Sequence, residues 1–205
     1  MLYFLDTEFI EDGHTIDLIS IGIVSEDNRE FYYISDEFDP TKADDWVVSN
    51  VLSKLPKAPY GLHLVSKIKW YNFFHRTNHW VPSTLETIYP YCSYKEQQDA
   101  MLWISKKDIT KRLLSFIGDD SNPVFWGAWS AYDWIVLCQL FGKMIDIPKH
   151  FPYHCNDVIQ WCYQLGLTRD YLPANPEDEH NSLVDAKWVK DSYKMLDDYS
   201  KQQLN

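Results

Sequence analysis

A chain of 205 residues with 45% hydrophobic and 24% charged content is long enough for one core and has the balance of a globular protein. Its net charge of −11 argues against general adhesion to nucleic acid, and no apolar run approaches the length of a membrane span. The apolar N-terminal run ends at Asp6 with no basic stretch before it, unlike a secretory signal. Cys92, Cys138, Cys155 and Cys162 show no CxxC spacing; read as reduced and mostly buried, they lead to the expectation of a cytoplasmic protein.

In chain order, Met1–Leu5 and Phe9–Ile10 flank Asp6-Thr7-Glu8 and read as one buried strand that stops at the turn Glu11-Asp12-Gly13. Thr15–Val24 and Glu30–Ser35 follow as strands, with turns short enough for an antiparallel meander. Asp39-Pro40 has the form of a helix start, and the helix is expected to run to about Leu55, before Pro56. Pro56–Cys92 is punctuated by proline and carries no clear periodicity. The apolar stripe Met101, Ile104, Ile109, Leu113 and Phe116 predicts a helix over Ser93–Ile117, ended by Gly118. Pro123–Ala128 is a further buried strand, with a helix from Ser130 or Tyr132; Phe151–His154 is expected to be a fifth strand. Asn156 is placed as the cap of a helix ending at Gly166, and the last helix spans about Ser182–Tyr199. Three strands in a meander, then strands alternating with helices, give a mixed α/β sheet in one domain, with ligands expected at the carboxyl ends of strands.

Asp6 and Glu8 stand two apart on a strand and so point to one face. Two buried carboxylates side by side are costly without a cation, and Mg²⁺ is the natural one: hard, oxygen-liganded and able to keep exchangeable waters. A pair at the exposed end of the strand would merely be solvated. Asp133 falls in the first turn of a helix, where it either favours the helix dipole or faces the same site. His180-Asn-Ser-Leu-Val-Asp185 puts a histidine and a carboxylate five residues apart, although Ser182-x-x-Asp185 also fits a capping box. Together, four carboxylates and one histidine are what two-metal phosphodiester hydrolysis needs, with His180 as the base for water.

Asp6-x-Glu8, then Asp133 at a strand-to-helix turn, then His180-x4-Asp185 resembles the DEDDh family of 3′-to-5′ exonucleases, the RNase T and oligoribonuclease group. The stretch Asp6–Val24 resembles more closely a bacterial subgroup of exoribonucleases that prefers adenylate tails. The resemblance implies an RNase H-like, five-stranded mixed sheet flanked by helices. It implies two Mg²⁺ or Mn²⁺ held by Asp6, Glu8, Asp133 and Asp185, and His180 as general base. The implied substrate is single-stranded RNA, shortened from its 3′ end to nucleoside 5′-monophosphates. Thr7 and Phe9 match positions that contact the terminal nucleotide, and family members are commonly homodimers. Many relatives carry Asn four residues before the central Asp; here Trp129 stands there, as in the adenylate-preferring subgroup, which bears on how the substrate is seated. The rivals are the same chemistry on single-stranded DNA and a catalytically idle nucleic-acid-binding module.

Pro56–Cys92 looks like an insertion relative to compact members. Lys54, Lys57, Lys67, Lys69 and Arg76 lie in a window without acidic residues, interleaved with aromatics. This is either a small core with solvated lysines or an RNA guide. His75-x3-His79 has ligand spacing but no further paired ligands, so zinc is not expected.

Overall fold

A computed structural model describes residues 1–58 and 94–203. Most of the expected insertion, including Lys67, Lys69, Arg76, His75 and His79, lies outside these. Among the described residues one mixed sheet organises the chain. β1 (Leu2–Glu11), β2 (Ile16–Ser25) and β3 (Glu30–Ser35) form the antiparallel meander that their short turns dictate. β5 (Val124–Gly127) adds parallel to β1, and β6 (Asn156–Asp157) parallel to β5. A short β4 (Trp103–Ile104) pairs parallel with β3 at the other edge, giving the order β4-β3-β2-β1-β5-β6.

The sheet therefore has six strands, not five, and the extra one corrects the long helix expected over Ser93–Ile117. That stretch is α2 (Tyr94–Met101), then β4, then α3 (Lys106–Ile117). Trp103 is buried beside Phe38, and Ser105 restarts the helix by accepting from the Asp108 N–H. Gly118 ends α3 at φ 62°, as its placement implied.

The helix expected over Asp39–Leu55 is also broken. Asp39 caps a 3₁₀ turn, Pro40–Lys42; Ala43 is extended; Asp44 then caps α1 (Asp45–Asn50), and a second 3₁₀ turn, Leu52–Lys54, follows. Each polar cap starts a turn of its own here. The last strand is Asn156–Asp157 rather than Phe151–His154, because Phe151 turns its ring into the core against Phe125. Asp157, not Asn156, caps α5 (Val158–Gln164), accepting from the Ile159 and Gln160 N–H groups. α4 (Ala131–Gln139) and α6 (Ser182–Gln203) lie close to their expected positions.

Strand alternation assigns the two faces. Tyr3, Leu5, Ile21, Ile23 and Phe125 meet Ile109 and Leu113 of α3 and Leu137 of α4. Phe4, on the opposite face of β1, meets Val158 and Cys162 of α5 and Val189 and Leu196 of α6. The three described cysteines are free thiols, Cys162 buried and the others half-buried. No described helix is long and apolar enough to cross a membrane.

Candidate active site

On β1 the even-numbered residues share the face that Phe4 turns to α6, so Asp6 and Glu8 project beneath that helix. They sit mid-strand, since β1 continues to Glu11, yet beyond the end of β5, which pairs only with Leu2–Phe4. The gap left past β5 becomes the cleft. The odd-numbered Thr7 faces α4, where both its N–H and its hydroxyl donate to Asp133 Oδ1, at 2.9 and 2.6 Å. Asp133, in the first turn of α4, is thus fixed onto β1 by hydrogen bonds.

Two glycines let the helices come this close. A Cβ on Gly22 would lie 2.1 Å from the Ser182 carbonyl oxygen and 2.4 Å from Leu183 N, so only glycine admits the start of α6. Gly22 is the residue paired with Asp6 across β1 and β2. Beside it, Ser20 Oγ and Ser182 Oγ share a 3.0 Å hydrogen bond. A Cβ on Gly127 would lie 2.6 Å from Ser130 Cβ at the sharp turn from β5 into α4. Neither glycine was singled out from the sequence, although an isolated glycine inside an apolar strand is a signal of close backbone approach.

α6 brings the last two residues. Asn181 is its cap, with Oδ1 accepting from the Leu183 and Val184 N–H groups. Asp185 does not close the box expected with Ser182; its Oδ2 accepts from the His180 N–H at 2.8 Å, and its carboxylate also meets the backbone N–H of Asn181. The His180 ring is met edge-on by Trp46 of α1, at 4.8 Å and 76°. Ligand atoms of Glu8, His180 and Asp185 lie within 4.8 Å of one another. Asp6 and Asp133 stand outside that tightest group but line the same cleft of about 400 Å³, with Phe9, Trp129 and Tyr132 at its walls. Phe9 stacks on Tyr132 at 5.9 Å, and Trp129 and Tyr132 are 59% and 52% exposed at the mouth. His14 and His154 are exposed, away from the site.

Electrostatically the cleft is under load. Burial, then the charges of Asp133, Glu8 and Asp185, hold the Asp6 carboxyl well above its ordinary range. Burial, with Asp185 and Asp133, raises Glu8 to about 8. Burial raises Asp133 to about 6 despite the opposing Thr7 hydrogen bonds, and raises Asp185 to about 6 despite the His180 N–H. Lys54 offsets part of this for Glu8 and Asp185, with its ammonium anchored 2.8 Å from the Glu179 carbonyl oxygen. The His180 imidazole is pushed below its ordinary value, mainly by burial. Carboxylates driven upward by burial, and for Asp6 and Glu8 also by their neighbours' charges, are a site short of positive charge. The donors are hard oxygens, and the set fits Mg²⁺ or Mn²⁺ better than a soft-liganded metal.

Strain collects here too. Of the three described non-glycine residues with positive φ, two are Trp129 (51°) and His180 (70°), both lining the cleft. Such backbones cost about 1–3 kcal/mol each and persist where the surroundings impose them. At Trp129 the following N–H, of Ser130, donates to Asp157 Oδ2 at 2.9 Å and fixes the turn.

The central strand of the mixed sheet thus carries an acidic pair answered by acids from two helices, and comparison with known proteins gives the class of chain that carries it. The chain belongs to the Rv2179c-like 3′-5′ exoribonuclease domain family, matched over residues 1–196. It is 36% identical over 189 residues to the 3′-5′ exoribonuclease Rv2179c of Mycobacterium tuberculosis (strain ATCC 25618 / H37Rv), covering 91% of this chain and 88% of that protein. The 3′-5′ exoribonuclease MT2234.1 of M. tuberculosis strain CDC 1551 / Oshkosh is similar to the same extent.

Proposed function

We propose that this protein is a metal-dependent 3′-to-5′ exoribonuclease of DEDDh type on an RNase H-like fold, releasing nucleoside 5′-monophosphates from single-stranded RNA. Family membership carries the exoribonuclease activity. The observation that supports the mechanism is the convergence of Asp6, Glu8, Asp133, Asp185 and His180 on one cleft from three separate stretches of chain. The four carboxylates would hold two Mg²⁺ or Mn²⁺, which when bound supply positive charge to an in-line displacement at phosphorus. Thr7 keeps Asp133 aimed into the cleft. His180 takes the proton of the attacking water on an imidazole nitrogen; Mg²⁺ prefers oxygen, leaving the ring free for this. Trp46 braces that ring from the side. Phe9 and Trp129 offer aromatic faces to bases. Trp129 stands where many DEDDh relatives have Asn, a residue that tolerates left-handed backbone; the tryptophan bears the strain and presents an indole instead.

The first test is a 5′-labelled single-stranded RNA beside a DNA of matched sequence. With Mg²⁺ the RNA is expected to shorten as a ladder from its 3′ end; chelator stops it, and Ca²⁺ leaves binding without turnover. Faster DNA shortening would transfer the assignment to an exodeoxyribonuclease, and binding without shortening would make the protein an idle module.

His180 makes a second prediction. A base must be neutral, and a pKa below the ordinary 6.5 keeps it so at neutral pH. At saturating Mg²⁺, kcat is expected to hold through neutrality and fall about tenfold per pH unit below the His180 pKa. His180→Ala should lose roughly 10²–10⁴-fold and flatten that acid limb. An unchanged acid limb in the variant would assign the proton to another group.

A further inference from the structure

The cleft is acidic, yet its substrate is a polyanion. Among the described residues that line it, Arg169 is the only lysine or arginine. Its guanidinium carbon lies 5.2 Å from the ring centre of Trp129 and 5.6 Å from that of Trp188. Two indoles therefore hold the flat group, which leaves its edge, where the N–H donors are, as the bonding surface. The Trp188 face is itself fixed, since its indole N–H donates to the carbonyls of Pro173 and Ala174, each at 3.1 Å. Along the edge, Nη2 donates to Asn175 Oδ1 at 2.5 Å, and Asn175 is held in turn by Glu179. The buried Nε has no hydrogen-bond partner. No described carboxylate forms an ion pair with the guanidinium. A charge oriented this closely, with donors left over, is arranged for an acceptor that is absent from the free protein.

We propose that Arg169, set between Trp129 and Trp188, is a binding residue that grips a backbone phosphate of the RNA. This rests on the exoribonuclease reading and adds to it a determinant outside the acidic cluster. A phosphate oxygen pair matches the fork of a guanidinium edge, and the two neighbouring indoles leave that edge as the group's bonding surface. The site also explains why an acidic chain can hold RNA at this point: the contact is local, charge-assisted and preoriented.

The experiment compares wild type, Arg169→Lys and Arg169→Ala by fluorescence anisotropy on a 5′-fluorescein single-stranded RNA. The Ca²⁺-loaded enzyme is used across a salt series, with kcat and KM measured separately in Mg²⁺. Arg169→Ala is expected to weaken binding roughly tenfold and to reduce the slope of log Kd against log salt by about 0.7, the contribution of one single-strand phosphate contact. KM should rise with kcat little changed. Arg169→Lys should restore the slope but only part of the affinity, because the fork is gone. If Arg169 only braces the tryptophans, the melting temperature falls while the salt slope stays that of wild type, and the proposal is overturned. Should Arg169→Ala fold poorly, Asn175→Ala, which removes the group orienting Nη2, must raise KM without a change in slope; an unaltered KM would count against the assignment. Wild type that shortens no RNA would sink the exoribonuclease reading; active wild type with indifferent Arg169 variants would sink this inference alone.

Discussion

Asp6→Asn is expected to abolish RNA shortening and, in the same protein, to raise the melting temperature without metal. Asp6 is half-buried in the cleft beneath α6, and its acid form is favoured by desolvation and by three neighbouring carboxylates. A folded pKa above the ordinary 3.8 means that the folded state is not penalised at low pH and loses stability as pH rises through the shifted value. Glu8, raised to about 8, behaves likewise, so the metal-free protein should be more stable in mild acid than in mild base. An amide at position 6 removes one charge from the cluster. The expected gain at mildly basic pH is about 1–2 kcal/mol, or roughly 2–8 °C in a chain of this length. Mg²⁺ should then stabilise wild type strongly and the variant weakly. Calorimetry of both proteins with and without Mg²⁺, at mildly acidic and mildly basic pH, checks this. A variant less stable than wild type under every condition would mean that Asp6 is held by contacts rather than opposed by charge.

Gly22→Ala is the second large effect. The added methyl would lie 2.1–2.4 Å from the backbone of Ser182 and Leu183, and backbone at a helix start has no rotamer with which to move aside. α6 must lift from β2, carrying Asp185 with it and dragging His180, whose N–H is tied to that carboxylate. Overpacking of this kind costs roughly 2–4 kcal/mol. A shift of about 1 Å in catalytic groups costs on the order of a hundredfold in rate. Thermal melts and kcat, read where circular dichroism shows the variant folded, separate the two effects. A folded variant with wild-type kcat would show that α6 can be displaced without consequence, and the positioning argument would fail. Gly13 differs in kind: a Cβ there would meet nothing within 4 Å, and the cost of a side chain would come from the backbone φ of 81° alone.

What the sequence made legible was whatever local chemistry decides. The meander, the parity that puts Asp6 and Glu8 on one face and Gly118 as a helix stop all follow from spacing and backbone preference over a few residues. The displaced boundaries trace to polar caps. At Ser105 a polar side chain starts a new helix inside a run whose apolar period looks continuous, Asp44 starts a second turn after the one that Asp39 begins, and Asp157 takes the cap one residue beyond Asn156. β4 is only two residues long and exists because β3 offers Ile34 and Ser35 as partners, a long-range fact with no local mark. In the site, the residues that do chemistry were visible because their types are costly to bury. The residues that make room or hold position were not. Gly22 looks like any glycine until α6 is laid across it, and Arg169 sits in a polar loop until the two indoles close on it.

The left-handed backbones at Trp129 and His180 set two selective pressures against each other. Glycine would relax either turn, so a screen that rewards heat resistance alone favours it there, whereas a screen that rewards turnover retains the indole and the imidazole.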